Sequence, residues 1–154
     1  MEFTIEPPSF DRAAICVPIL RALKDWFGIE EAVLRYATEI DSLPTLVAYG
    51  AVGEPLGFLS LKLHNPFSAE LYVLGIRPEA RRQGIGRALV GKAEAWLKEQ
   101  GVEYLQVKTL GPSNPDENYA QTRAFYLSVG FRPLEEFTRI WDEQNPCLIL
   151  IKKL

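Results

Sequence analysis

The 154-residue sequence has few of the side chains that build metal centres and disulfide frameworks. It contains two cysteines, Cys16 and Cys147, and a single histidine, His64. Two cysteines without CxxC spacing do not make a disulfide scaffold, so they predict buried, reduced thiols. One histidine is too few for the usual zinc sites of proteins, and we therefore expect no metal.

Long apolar runs and an excess of positive charge are also missing. No apolar stretch approaches the roughly 20 residues that span a bilayer. Residues 1–6 lack the basic start and the apolar segment of a secretion signal. With a net charge of -3, the chain has no broad surface of Lys and Arg for nucleic acid. These absences predict a cytoplasmic protein with neither a membrane nor a nucleic-acid partner.

The chain does contain enough apolar material for one core. Hydrophobic residues make up 47% of the sequence, which suffices for one folded unit at this length. No internal repeat, linker or low-complexity tract interrupts the pattern. We therefore expect residues 1–154 to form a single domain.

Helical and alternating periods divide the chain into elements of both kinds. We expect Ser9 or Asp11 to cap the first helix, and Glu94 to pair with Lys98 on the third. The pattern predicts an antiparallel meander after residue 44. The predicted helices follow Asp11 and cover 30–40, 84–100 and 119–129, and the predicted strands cover 3–6, 45–50, 55–63, 70–76, 102–109, 131–141 and 147–152.

An arginine-rich loop lies between a strand and an amphipathic helix in residues 70–95, ELYVLGIRPEARRQGIGRALVGKAEA. Backbone N–H groups and the positive end of the helix dipole are free at the start of a helix. Gly84 and Gly86 remove the side chains that would keep a ligand from those amides. Arg81, Arg82 and Arg87 add positive charge. The loop therefore predicts a site for the pyrophosphate of a cofactor.

Two common phosphate motifs do not fit this loop. The dinucleotide motif GxGxxG would need a third glycine where the chain has Leu89. The P-loop motif needs Ser or Thr after its Gly-Lys pair, and here Gly91-Lys92 is followed by Ala93 inside the predicted helix. Both classes of nucleotide site are therefore excluded.

The pattern that remains is Arg81-x-x-Gly84-x-Gly86, which resembles the coenzyme A loop of the GCN5-related N-acetyltransferase (GNAT) superfamily. A second segment agrees with it. Ala124-Phe125-Tyr126, followed by Gly130-Phe131, resembles the family's A-[FL]-Y-x-x-x-G-F element. The resemblance implies an α/β (α+β) fold with a mixed central sheet of about six to seven strands flanked by four helices.

The same resemblance implies an N-acetyltransferase that moves an acetyl group from acetyl-CoA to a primary amine. The amine would attack directly in a ternary complex, without a metal, and the enzyme would be a monomer or a homodimer. The acceptor would be a small molecule or a peptide amine. A non-catalytic acyl-CoA-binding sensor of the same fold is the alternative.

Tyr126 matches the family tyrosine that protonates the departing thiolate, and Glu70 stands where some members carry their general base. His64 or water could be the base instead. Many members have an asparagine seven residues before the tyrosine, where this chain has Tyr119 with Asn118 beside it. The residues that the resemblance assigns to the cofactor are Leu74, Gly75, Ile76, Arg81, Arg82, Gln83, Gly84, Ile85, Gly86, Arg87, Asn118, Tyr119 and Tyr126.

The acceptor site is expected at two turns and one strand end. Trp26 and Phe27 lie between the first two helices, Trp141 lies at the final hairpin, and His64 ends a strand. These turns mix aromatic and acidic residues, which would suit a cationic amine. They could equally be ordinary turns with buried anchors.

Overall fold

A computed structural model describes residues 2–154 of the chain. None of the helices in that range is long and apolar enough to cross a membrane. The elements are β1 (Phe3–Ile5), α1 (Ala13–Ala22), α2 (Glu30–Ile40), β2 (Thr45–Gly50), β3 (Pro55–Leu63), β4 (Ser68–Ile76), a short 3-10 turn (Pro78–Ala80), α3 (Ile85–Glu99), β5 (Tyr104–Leu110), α4 (Glu117–Ser128), β6 (Arg132–Asp142) and β7 (Asn145–Lys153).

The seven strands form one mixed sheet in the order β1-β2-β3-β4-β5-β7-β6. Strands β1 to β4 are antiparallel neighbours, and β2 to β4 form the meander predicted after residue 44. Strand β4 pairs with β5 in parallel, and β7 lies antiparallel between β5 and β6. The predicted fold class, a mixed sheet of six to seven strands with four helices, is confirmed.

Each face of the sheet carries its own apolar cluster. Helices α1 and α2 cover one face, where Ile19, Leu20 and Phe58 are fully buried. Helices α3 and α4 cover the other face, where Leu89 and Phe131 are fully buried. We call these the α1/α2 face and the α3/α4 face.

Two local predictions about helices are wrong. The first amide of α1, that of Ala13, donates to Oδ1 of Asp41 at 2.9 Å, and neither Ser9 nor Asp11 caps the helix. Glu94 pairs with Lys152 of β7, whose Nζ lies 2.8 Å from the carboxylate, and not with Lys98. In both cases the observed partner is distant in sequence.

Strand β4 contains a bulge that determines where the site lies. Val73 pairs with Ser60 and Leu71 pairs with Leu61, so Tyr72 has no partner on β3. An extra residue reverses the alternation of side chains. Leu71 accordingly packs on the α3/α4 face and Val73 on the α1/α2 face.

The parallel pairing of β4 with β5 ends at the same point. The last pair is Leu71 with Val107, so residues 73–76 pair only with β3. Strand β5 continues to Leu110. The two strands therefore separate toward their carboxyl ends and leave a gap within the sheet.

Candidate active site

A cleft of about 740 Å³ occupies the gap between β4 and β5. Its walls come from both faces of the sheet. Leu74, Gly86 and Tyr126 line it on the α3/α4 face, and Phe27 and Lys108 line it on the α1/α2 face. The cleft therefore runs through the sheet and has two ends of different chemistry.

The end on the α3/α4 face is built around the start of α3. Gly84 precedes the helix with φ +81°, a left-handed conformation that favours glycine. The first N–H of this helix that donates to a backbone carbonyl is that of Ala88, to Gly84 at 3.0 Å. The amides of residues 84–87 lie before that bond and are the free donors of the helix terminus. Arg81, Arg82 and Arg87 line the same end.

Gly86 is required for a second reason that the sequence pattern did not reveal. A Cβ at this position would lie 3.0 Å from Cζ of Phe125 on α4. Such a contact is tighter than nine in ten real Cβ contacts, so the Phe125 ring would have to move by a few tenths of an ångström. Glycine therefore lets Phe125 of α4 pack closely against the first turn of α3.

Two backbone amides of β4 point into the gap. The amide of Arg77 donates to Leu56 of β3 at 2.8 Å. Because amides alternate along a strand, that of Gly75 faces β3 as well, and those of Leu74 and Ile76 face the side that β5 has left. Leu74 and Ile76 thus present free donors to the cleft wall.

Tyr126 lies on α4 and is 6% exposed. Its ring makes edge contacts with Phe125 at 5.5 Å and Phe131 at 5.7 Å between centroids. Burial raises the pKa of its phenol well above the usual range. The hydroxyl is therefore protonated at neutral pH and can act only as a proton donor or a hydrogen-bonding group.

Glu70 is buried on the α1/α2 face, beside the cleft. Its Oε1 lies 2.8 Å from Nε2 of His64 and 3.4 Å from Nζ of Lys108. Lys108 lines the cleft, whereas Glu70 and His64 do not. The side chain of His64 is 32% exposed. The carboxylate therefore connects a lysine in the cleft wall with a histidine that reaches solvent.

Aromatic rings form the other end of the cleft, on the α1/α2 face. The ring of Tyr36 lies 5.6 Å from those of Phe27 and Tyr72, in edge contacts. All three line the cleft, and so does Trp141 from β6, which is 47% exposed. This end is broad, apolar and lined by planar groups.

Trp26 joins the two ends across the gap. Its indole N–H donates to Thr122 of α4 at 3.1 Å, and its carbonyl accepts from the hydroxyl of Tyr119 at 3.3 Å. The guanidinium of Arg81 lies 4.4 Å from the indole centroid. The loop between α1 and α2 is thereby attached to the helix on the opposite face.

The sequence model of the acetyltransferase (GNAT) family matches residues 17–131. The chain belongs to this family. The match covers both the Arg81–Arg87 loop and Tyr126, so the resemblance first noted from those motifs is confirmed.

Relatives and solved structures within the family differ in how much of them the chain matches. A mycothiol acetyltransferase of Beutenbergia cavernae is 37% identical over 60% of this chain and 29% of its own length. An aminoglycoside N(6')-acetyltransferase type 1 of Klebsiella aerogenes is 39% identical over 56% of this chain and 57% of its own length. The chain thus spans between 29% and 57% of the length of these relatives. The PaiA N-acetyltransferase of Thermoplasma acidophilum, solved with coenzyme A, is similar in fold with a TM-score of 0.74, 21% identity and full coverage of both chains.

The GNAT chain brings most of the expected site residues to the cleft, but not all. The amide of Gly75 faces β3. A Cβ at this position would meet Phe58, Leu23 and Ile19, so the absence of a side chain lets α1 pack on the sheet. Asn118 lies outside the lining, and its amide donates to the capping carboxylate of Asp116 at 2.8 Å. The expected residues that line the cleft are Trp26, Phe27, Leu74, Ile76, Arg81, Arg82, Gly84, Ile85, Gly86, Arg87, Tyr119, Tyr126 and Trp141, and those that do not are His64, Glu70, Gly75, Gln83 and Asn118.

The expected mixture of aromatic and acidic groups at the acceptor end is wrong. Within residues 2–154, neither Asp nor Glu lines the cleft. Asp142 follows Trp141 but accepts from the amides of Gln144 and Asn145 at 2.9 and 2.8 Å. Its carboxylate stabilises the β6–β7 turn and is not part of the cleft.

Tyr36, Tyr72 and Lys108 are among the cleft residues that the sequence analysis missed. Tyr36 lies on the apolar side of α2, where an aromatic residue gives no sign of binding a ligand. Tyr72 reaches the cleft because of the bulge, which leaves no mark in the sequence. Lys108 could have been noticed in the sequence, because it interrupts an apolar strand between the buried Val107 and Thr109.

Proposed function

We propose that the chain is an N-acetyltransferase that moves an acetyl group from acetyl-CoA to a primary amine by direct attack in a ternary complex. The observation that carries this proposal is the cleft through the sheet. One end offers free amides and guanidinium groups, the middle offers the β4 amides and Tyr126, and the other end offers an aromatic pocket.

The residues at the α3/α4 end fit the pyrophosphate of coenzyme A. The amides of residues 84–87 are free donors at a helix N-terminus, where the dipole favours an anion. Arg81, Arg82 and Arg87 would neutralise its charge. Ile76 would donate its amide to the pantetheine chain. When bound, acetyl-CoA supplies the acetyl group in activated form, as a thioester.

The amide of Leu74 would stabilise the negative charge that develops on the carbonyl oxygen during attack. It is held in place by β3 and needs no rearrangement to donate. Tyr126 would protonate the thiolate that leaves, because its phenol lines the cleft and carries its proton at neutral pH. No nucleophilic side chain is needed, since the amine itself attacks.

An acceptor amine has a pKa near that of lysine, about 10.4, and must lose a proton before it attacks. Glu70 does not line the cleft, but its Oε1 lies 3.4 Å from Nζ of Lys108, which does. We therefore place Glu70 as a base that acts through water, with His64 passing the proton to solvent. The names of the two curated relatives favour a small-molecule acceptor.

Two measurements test this function. Acetyl-CoA at about 100 times its dissociation constant should stabilise the fold by about 2.7 kcal/mol. An unchanged melting temperature would reject acetyl-CoA as the donor. Thiol release from acetyl-CoA should then depend on an added primary amine. Binding without thiol release for any amine would favour a non-catalytic acyl-CoA sensor.

A further inference from the structure

The acceptor end of the cleft has an unusual charge for a site that receives an amine. Lys108 is the charged side chain that lines it on the α1/α2 face, and no carboxylate lines the cleft within residues 2–154. A polycationic acceptor would find no acidic partner there. It would instead meet the ammonium group of Lys108, and like charges placed together at a binding site oppose binding.

Lys108 retains hydrogen-bonding capacity for a ligand. Its Nζ carries three donors, and its hydrogen bond to Oε1 of Glu70 is long, at 3.4 Å. That same oxygen is engaged more closely by His64, at 2.8 Å. The side chain of Lys108 is 31% exposed, so the ammonium is accessible from the cleft. An anionic group on the acceptor could therefore bind it.

Two of the aromatic rings that line the cleft are already engaged by cations of the protein. Rings attract cations through their faces. Arg81 lies over Trp26 at 4.4 Å, and Lys62 lies over Tyr72 at 5.2 Å. Phe27, Tyr36 and Trp141 are then available mainly as apolar, planar walls.

We infer that the acceptor is a primary amine on an aromatic body that also carries a carboxylate, which Lys108 binds, and is not a polyamine or another polycation. This inference rests on the proposed function and defines the substrate class of the same site. It departs from the cationic acceptor that the sequence of the two turns suggested.

Three acceptors of matched design test the inference. 4-(Aminomethyl)benzoate and 4-(aminomethyl)benzamide differ in one charge, and spermidine represents the polycations. With saturating acetyl-CoA, we expect kcat/KM for the benzoate to exceed that for the benzamide about tenfold, the effect of one charge-assisted hydrogen bond. Spermidine should be the poorest acceptor. Equal values for the benzoate and the benzamide, or a higher value for spermidine, would overturn the inference.

The variant Lys108→Met tests whether Lys108 causes the difference in kcat/KM between the benzoate and the benzamide. The ratio of the benzoate to the benzamide value should fall about tenfold in this variant. Because the ratio is taken within one protein preparation, a loss of folded material cancels. Lys153→Met makes the same charge change on an exposed part of β7 outside the cleft and should keep the wild-type ratio. An unchanged ratio in Lys108→Met would overturn the role of Lys108.

A binding measurement separates failure of this inference from failure of the proposed function. In the coenzyme A-loaded protein, the benzoate should raise the melting temperature more than the benzamide does, and Lys108→Met should remove the difference. If thiol is released with spermidine but not with the benzoate, the function stands and the inference is wrong. If no amine releases thiol, the enzymatic function is wrong, and equal shifts by the two ligands would also reject the binding claim.

Discussion

Replacing Gly84 by alanine tests whether the α3 terminus binds coenzyme A. Gly84 has φ +81°, and a Cβ built there meets no atom within 4 Å. The cost to folding therefore comes from the backbone alone. A left-handed alanine costs about 1 to 2 kcal/mol, and the stiffer unfolded chain returns about 0.4 to 1 kcal/mol. The net loss of about 1 kcal/mol should lower the melting temperature by about 2 to 4 °C.

The chain offers two matched controls for this substitution. Gly53 at φ +83° and Gly101 at φ +84° have the same backbone conformation and equally open surroundings. Gly53 lies in the β2–β3 turn, and Gly101 follows α3 at its other end. Alanine at any of the three positions should therefore lower stability by a similar amount.

Affinity for coenzyme A should separate the three variants. If alanine turns the loop away from its left-handed conformation, one or two amides no longer meet the pyrophosphate. Each hydrogen bond to a charged group contributes about 1.5 to 3 kcal/mol, so the Kd should rise by about 10- to 100-fold in Gly84→Ala. Gly53→Ala and Gly101→Ala should bind as the wild type does. Titration calorimetry well below the melting temperature measures this, and an unchanged Kd in Gly84→Ala would refute the assignment of the pyrophosphate site.

Three further predictions concern single side chains. Tyr126→Phe should lower kcat by about 10²- to 10⁴-fold with little change in the Kd of acetyl-CoA, and an unaltered kcat would remove Tyr126 from the acid role. Glu70→Gln should shift the pH dependence of kcat/KM, and an identical profile would leave the base role to His64 or to water. Burial raises the pKa of the Cys16 thiol from 9.0 to about 12. As the pH rises above about 9, the thiol therefore ionises in the unfolded chain while it stays protonated in the folded protein. The free energy of unfolding falls as a result. The difference in unfolding free energy between wild type and Cys16→Ala should therefore shrink by about 1.4 kcal/mol between pH 8 and pH 10, and denaturant titrations that give a constant difference would contradict it.

Local periodicity was sufficient to predict most of the fold. The bounds predicted for α2, β2 and β3 agree with the structure to the residue, because amphipathic spacing and turn residues act over a few positions. The mixed sheet with its four helices was implied by the resemblance to the GNAT superfamily. The loop at Arg81–Arg87 and Tyr126 could likewise be recognised in the sequence, because each belongs to a short contiguous motif.

Several of the misses share one physical cause, which is contact between residues distant in sequence. The cap of α1 comes from Asp41, 28 positions after the amide that it accepts. The partner of Glu94 is 58 positions away, on β7. The contact of Lys108 with Glu70 depends on the parallel pairing of β4 with β5. Propensity and spacing contain no information on such pairs, so the base network and the acceptor wall emerged only from the fold.

The gap that opens between β4 and β5 also determines how two substrates could exchange. Because the cleft reaches both faces of the sheet, coenzyme A and the amine would each have an entrance of their own. Neither product would then have to leave before the other. Trp26, bonded to Thr122 across the gap, lies between the two routes. Binding of a ligand on one face would therefore affect binding on the other face through Trp26, although each ligand enters by its own opening.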